Sequence, residues 1–348
     1  MWRSEELDKI PIHFILCTER TGSSLITTML NMNPSLIVAS EEPFALYFYR
    51  KYGKINHWNE IRIKTYINEF YDLFEKNANL YFEHKDSFTQ CLLAHASILN
   101  YERLIKLTYL NFYDKEVKNK DSIQVILDKQ MKYVFHKKEI SLIFPSATFL
   151  ILTRDILNNI EAKSRRGIDF FKHPYYLSSV WKLTYDKALS FPNTQVLHFE
   201  SFISNPESSL RSLNKFWRVS YNHDQLNYQA GFSLLINHRS SLLSPEYINK
   251  ISEFHRGILD KEPRVNQPRQ YLTLKQKEVI LKKTQKTIIL LGYSHSQISG
   301  KTNIFDELCW SFYWLLALFF RPYLWQTYRQ FPIIFKRIIR RRKNQFKP

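Results

Sequence analysis

Glycine is scarce in this chain of 348 residues. There are seven, about 2% where globular chains carry ~7%. The two nearest in sequence, Gly292 and Gly300, are eight positions apart. That spacing excludes a GxGxxG dinucleotide fingerprint and a complete GxxxxGK[ST] Walker loop. The Gly-Lys-Thr of ISGKTN (298–303) has His295 where a Walker loop needs its first glycine. Cysteine is equally sparse. Cys17, Cys91 and Cys309 are widely scattered, which excludes a disulfide framework and metal-binding spacings and suits a reducing compartment. Acids are short against bases, 32 to 50, giving 50 − 32 = +18. The N-terminus carries two early acids and a six-residue apolar stretch, Ile12 to Cys17, and does not read as a signal peptide.

Apolar residues make up 44% of the chain, enough for a substantial core and one large domain or two ordinary ones. The positive charge is concentrated. From Arg321 to Pro348 there are nine Lys or Arg and no acid, so the remaining 320 residues carry +9.

Short apolar runs alternate with helical spacing. Strands are expected at 12–17, 35–39, 123–128, 148–153 and 194–199. Helices are expected at 24–32, 44–76, 88–113, 131–143, 154–165, 175–190, 205–217 and 272–292. Asn205 is the expected N-cap ahead of Pro206, and Gly292 the expected stop of the last helix. The alternation implies an α/β domain with a mostly parallel sheet covered on both faces.

The most informative segment is IHFILC-TERTGSS-LITTML. A strand running through a small-residue turn into a helix N-terminus makes an anion site. Arg20 supplies a cationic fork, Thr21, Ser23 and Ser24 supply hydroxyls, and Gly22 lets the backbone approach.

CTERTGSSLITTMLNMNPSL, followed by Glu41 and Glu42, resembles the 5′-phosphosulfate loop of sulfotransferases that use 3′-phosphoadenosine 5′-phosphosulfate (PAPS). Further blocks follow in that family's order. VILDKQMKY (125–133) resembles its strand-then-lysine block. FPSATFLILTRD (144–155) resembles the strand leading to the 3′-phosphate arginine. VLHFESFISNPESSLRSLNKFW (196–217) resembles the block closing its core. ILLGYSHS (289–296) is similar to the Leu-Gly-Tyr ending of tyrosylprotein-sulfotransferase-like members. The resemblance spans about residues 10–295. It implies a P-loop-like three-layer α/β/α fold with a mostly parallel central sheet over 1–303, helical acceptor-side insertions at about 44–113, and a C-terminal amphipathic tail at 304–348.

The resemblance also implies roles. Arg20, Thr21, Gly22, Ser23, Ser24 and Leu25 hold the 5′-phosphosulfate. Lys129 reaches the transferring sulfuryl or its bridging oxygen. Arg154 binds the 3′-phosphate, yet the family's serine eight residues later is Ala162 here. Ser164, Lys163, Arg165 and Arg166 are candidates in its place. Glu42 or Glu41 removes the acceptor proton, with His95 and His136 as rival bases. Arg239-Ser240 is similar to a late Arg-Ser near the sulfuryl group, and Glu200 is expected to be structural. No metal is expected, and Asp128 has no nucleotide magnesium to hold. The product would be adenosine 3′,5′-bisphosphate.

The tail combines LCWSFYWLLALFF (308–320), too short to span a bilayer and followed by Arg321-Pro322, with the basic FPIIFKRIIRRRK. Residues 305–335 hold twelve aromatics, among them Trp310, Trp314 and Trp325. This composition suits an anionic membrane surface more than nucleic acid, with a helix folded on the core or in an oligomer interface, or a spanning helix, as the alternatives. The expectation is a cytoplasmic sulfotransferase, held peripherally at a membrane by 304–348, acting on a hydroxyl of a carbohydrate, lipid or tyrosine. The alternative is a non-catalytic membrane- or nucleic-acid-associated binding protein that keeps the fold.

Overall fold

A computed structural model of the chain describes residues 2–40, 44–74, 84–111, 118–166, 172–230, 271–294 and 303–330; for residues 40, 74, 165, 166 and 322–330 it describes the backbone alone. Five parallel strands form one sheet in the order β2-β3-β1-β4-β5. They are β1 (Ile12–Leu16), β2 (Leu36–Ser40), β3 (Val125–Lys129), β4 (Phe149–Thr153) and β5 (Thr194–His198). Each falls within a residue or two of the apolar run that announces it. β1, β3 and β4 are buried along their whole length, as parallel strands covered on both faces must be.

Besides the helical residues 228–230, fourteen α-helices are described. The first two are α1 (Ser4–Lys9) and α2 (Ser23–Asn31). The insertion holds α3 (Phe44–Tyr47), α4 (Tyr49–Tyr52), α5 (Glu60–Phe74), α6 (Lys85–Ala94) and α7 (Tyr101–Leu110). Then come α8 (Lys137–Ile143), α9 (Ile156–Arg166), α10 (Pro174–Ala188), α11 (Phe199–Ser204) and α12 (Pro206–Phe216). The last are α13 (Leu274–Leu290) and α14 (Ile304–Gln330).

Alternation along the strands builds two cores. Ile15, Leu127, Leu150 and Leu152 face Leu25, Ile26 and Leu30 of α2 and Leu210 and Leu213 of α12. Phe14, Leu16, Ile126 and Ile151 face the larger core, which takes in α10, α13 and the insertion. The three-layer α/β/α arrangement expected from the sequence is the one found.

The helix expected at 44–76 is three helices. The Gly53 amide donates to the Tyr49 carbonyl at 2.8 Å and closes α4, and a connection to residue 59 precedes α5. The helix expected at 88–113 divides at 95–100, where the Asn100 side chain caps α7 by accepting from the Arg103 amide. A 3-10 turn at Met131–Phe135 precedes α8. Inside the insertion Phe48, Tyr52, Trp58, Tyr66 and Phe70 pack ring against ring. Asn205 caps α12 as expected, accepting from the Ser208 amide, and Gly292 takes φ +81° past α13.

The last helix starts where the tail was expected to begin and continues through Pro322 to Gln330. It lies along α10. Trp310 is buried and donates its indole N–H to Ser178 Oγ at 3.1 Å. Trp314 stacks on Trp310 at 5.4 Å between centroids. Tyr175 donates to Asp306 at 2.8 Å, and Tyr313 stacks on His173. These two tryptophans therefore face the protein, although their composition alone suggests a lipid interface. Trp325 and the basic stretch 331–343 lie outside what is described of the side chains.

Candidate active site

Parallel strands present their C-terminal ends at one edge, and the first turn after each strand can converge there. β1 ends at Leu16 and the chain turns through Cys17–Gly22 into α2. Gly22 is the N-cap, with φ +80°, a conformation that glycine adopts at little cost. It brings no side-chain oxygen to cap the helix, so the first-turn amides keep their donors for a ligand. A methyl group on Gly22 would meet the Phe199 ring at 2.1 Å. Arg20 also has a positive φ, +63°, a sparsely populated conformation that costs of order 1 kcal/mol for a residue with a side chain.

Contacts from two helices hold this turn in place. Asn159 of α9 donates to the Glu19 carbonyl at 2.8 Å. Lys163, its side chain wholly buried, donates to Thr18 Oγ1 at 2.7 Å and pairs with Glu19 Oε2 at 3.0 Å. Arg321 of α14 reaches the other Glu19 oxygen at 2.5 Å. Burial alone would raise the Glu19 pKa, but Lys163 and Arg321 outweigh it and hold the carboxyl well below its ordinary range. The acid of this loop is thus turned inward, its charge answered by two cations.

Arg154 follows β4 directly. Its guanidinium donates to the Arg20 carbonyl at 3.3 Å and lies 4.9 Å from the centre of the Phe199 ring. Trp181 donates to the Arg154 carbonyl. Lys129 is the buried last residue of β3, in register with Ile15 of β1 and so on the α2 side of the sheet. Burial pushes the Cys17 thiol up, against the pull of the Lys129 charge nearby. The ends of three adjacent strands thus carry Arg20, Lys129 and Arg154 to the N-terminus of α2.

The remaining expected site residues divide into those with inward tasks and those outside the described residues. Thr21 is buried and its hydroxyl closes the loop onto the Thr18 carbonyl at 3.1 Å, so the hydroxyl is turned inward. Ser23 is buried and Ser24 exposed, both in the first turn. The Leu25 side chain belongs to the core. Ser164 returns its hydroxyl to the Ile160 carbonyl of its own helix. Lys163 is corrected from a 3′-phosphate candidate to a buried partner of Glu19, because one turn of α9 points it beneath the loop. Glu41, Glu42, Arg239 and Ser240 lie outside the described residues, as does most of 298–303. The chain does reach residue 41 from Ser40, which is in register with Lys129.

The rival bases have structural duties. His95 accepts from the Trp2 amide at 2.9 Å while its other ring nitrogen meets the Cys91 carbonyl at 2.6 Å. His136 is buried beside Glu139. Glu200 is structural as expected, accepting from the Asp155 amide and the Tyr293 hydroxyl at 3.0 Å each. Asp128 lies within hydrogen-bonding distance of the hydroxyls of Tyr109 and Tyr133, and burial pushes it up to about 7. Among the described residues no group of three His, Cys, Asp or Glu is placed to hold a metal ion.

Sequence reasoning missed the roles of Glu19, Phe199 and Arg321. An acid beside Arg20 in an anion loop is itself a signal that a buried cation must answer it. Arg321 lies 302 residues away and gives no local sign.

The strand-loop-helix geometry agrees with a whole-family match. The model of the sulfotransferase family matches residues 11–223. The chain belongs to the sulfotransferase family. Among solved structures, the sulfotransferase domain of the Synechococcus PCC 7002 olefin synthase aligns over 85% of this chain and 99% of its own. The identity is 17% and the TM-score 0.51, which establishes a shared fold. The sulfotransferase domain from the curacin biosynthetic pathway aligns over 82% of this chain and 98% of its own, at 17% identity and TM-score 0.49. A sulfotransferase from Alicyclobacillus acidocaldarius aligns over 67% and 95%, at 12% identity and TM-score 0.36. No curated protein matches this sulfotransferase.

Proposed function

We propose that this sulfotransferase moves a sulfuryl group from PAPS to a hydroxyl of a carbohydrate, lipid or tyrosine. The observation that carries this reading is the convergence of Arg20, Lys129 and Arg154 with the first turn of α2. The residues fit the donor. The first-turn amides and Arg20 suit its 5′-phosphosulfate, and Gly22 keeps side-chain bulk out of the loop. Arg154, fixed by Phe199 and Trp181, suits its 3′-phosphate.

In the proposed step the acceptor oxygen attacks sulfur. The bond from sulfur to the bridging phosphate oxygen breaks, and adenosine 3′,5′-bisphosphate leaves with that electron pair. The acceptor proton goes to the carboxylate of Glu42 or Glu41. Lys129 offsets negative charge developing on the bridging oxygen, where a fixed cation stabilises the transition state more than the ground state. The acceptor would approach from the side of the helical insertion.

The test is transfer of labelled sulfate from PAPS to acceptors in an extract. Lys129→Met should lower the rate about 10²- to 10³-fold with the fold retained. A rate unchanged by Lys129→Met, or by Glu41→Gln with Glu42→Gln, contradicts the assigned roles. A second reading is a non-catalytic membrane- or nucleic-acid-associated binding protein that keeps the fold. Ala162 favours it, together with a Ser164 hydroxyl committed to Ile160, because both remove a hydroxyl from the 3′-phosphate side. It predicts no transfer of sulfate to any acceptor.

A further inference from the structure

Helix α14 reverses the usual layout of a surface helix. At 100° per residue its exposed side chains fall on an arc of about 140°. On that arc are Ile304, Phe305, Leu308, Phe312, Leu315, Leu318 and Phe319, with Ser311 the one polar member among the described side chains. Ser311 is itself bonded back to the Glu307 carbonyl. Leu308, Phe312 and Leu315 are 65%, 58% and 64% exposed. The charged residues among the described side chains of the helix lie off that arc. Asp306 meets Tyr175, Glu307 meets Lys282 and Lys283, and Arg321 meets Glu19. The apolar row runs about 22 Å along the helix, and the sequence beyond it, from Arg321 onward, has nine bases and no acid.

We infer that the outward face of α14 docks flat on an anionic lipid surface. An uncharged apolar row of this length in water is costly, and a bilayer interface would take it up. The excess of positive charge that follows in the sequence matches anionic headgroups rather than a neutral protein groove. No helix among the described residues is long and apolar enough to cross a membrane, which fits a surface-lying mode. Arg321, two residues beyond the row and on the opposite side of the helix, touches Glu19 of the loop between β1 and α2. That sets the loop about one helix diameter, ~10 Å, from the lipid.

The test is co-sedimentation of the full chain with vesicles of phosphatidylcholine, with and without phosphatidylglycerol. Binding is expected to vesicles containing phosphatidylglycerol and to weaken with salt. Leu308→Glu with Leu315→Glu should lower it about tenfold or more, while Leu308→Met with Leu315→Met should retain it. Both side chains are exposed, and an unchanged melting temperature and unchanged nucleotide binding check that the glutamate variant is folded. Failure of nucleotide binding in the wild type would count against the proposed function and leave the vesicle assay intact. Three results would overturn the inference: no vesicle binding by the wild type, equal binding by the glutamate variant, or a wild-type dimer that the glutamate variant dissociates. The last would assign the face to a second copy of the chain.

Discussion

In the donor loop the acid faces inward. Glu19 is closed between Lys163 and Arg321, while Arg20 lies in the same loop and Lys129 and Arg154 stand at the ends of the two neighbouring strands. On α14 one row of apolar residues faces outward, while Trp310 and polar contacts tie the opposite side of the helix to the core. The difference shows how each region is stabilised. The loop depends on one buried charge network, whereas the helix is held by several separate contacts spread from Asp306 to Arg321. Losing one partner should therefore be costly in the loop and modest on the helix.

The largest effect is expected from Glu19→Ala. It strands Lys163, whose side chain is wholly buried, and should cost about 3–5 kcal/mol of stability in a denaturant titration. Glu19→Gln isolates the charge. The carboxyl is held far below its ordinary pKa, so the wild-type advantage over Glu19→Gln should be full above about pH 5. It should disappear as pH falls through the depressed folded value. An unaltered stability in Glu19→Ala would break the contrast from the loop side. Arg321→Ala should cost less, about 1 kcal/mol, because Lys163 still answers Glu19 and Arg321 is partly exposed. A loss as large as that of Glu19→Ala would break the contrast from the helix side. It would mean that the loop rests on α14 as firmly as on α9.

The same contrast explains what could be read from the sequence. The loop was legible because its determinants are contiguous: a buried strand, one glycine at a left-handed position and a helix start lie within twenty residues. Strands β1, β3 and β4 were legible for a related reason, since burial on both faces leaves apolar runs such as Phe149–Thr153, whereas the edge strand β5 is only partly buried and shows a shorter apolar signal. The helical insertion was read too coarsely, because its breaks at Gly53 and Asn100 lie inside continuous apolar spacing. The contacts that set the site were out of reach. Phe199 against Gly22, Lys163 under Thr18 and Arg321 on Glu19 each join residues far apart in the chain. Composition around 304–320 gave the amount of apolar and aromatic surface but not its division into an inner and an outer face. That division depends on α10 being there to receive Trp310.

In the proposed function, the edge formed by Arg20, Lys129 and Arg154 binds the donor nucleotide. Titration calorimetry of the full chain with adenosine 3′,5′-bisphosphate tests it most directly. Saturable one-to-one binding is expected, weakened about tenfold or more by Arg20→Ala or Arg154→Ala as charge-assisted contacts are lost. Absence of binding to the wild type, or binding of equal strength in both variants, would contradict it.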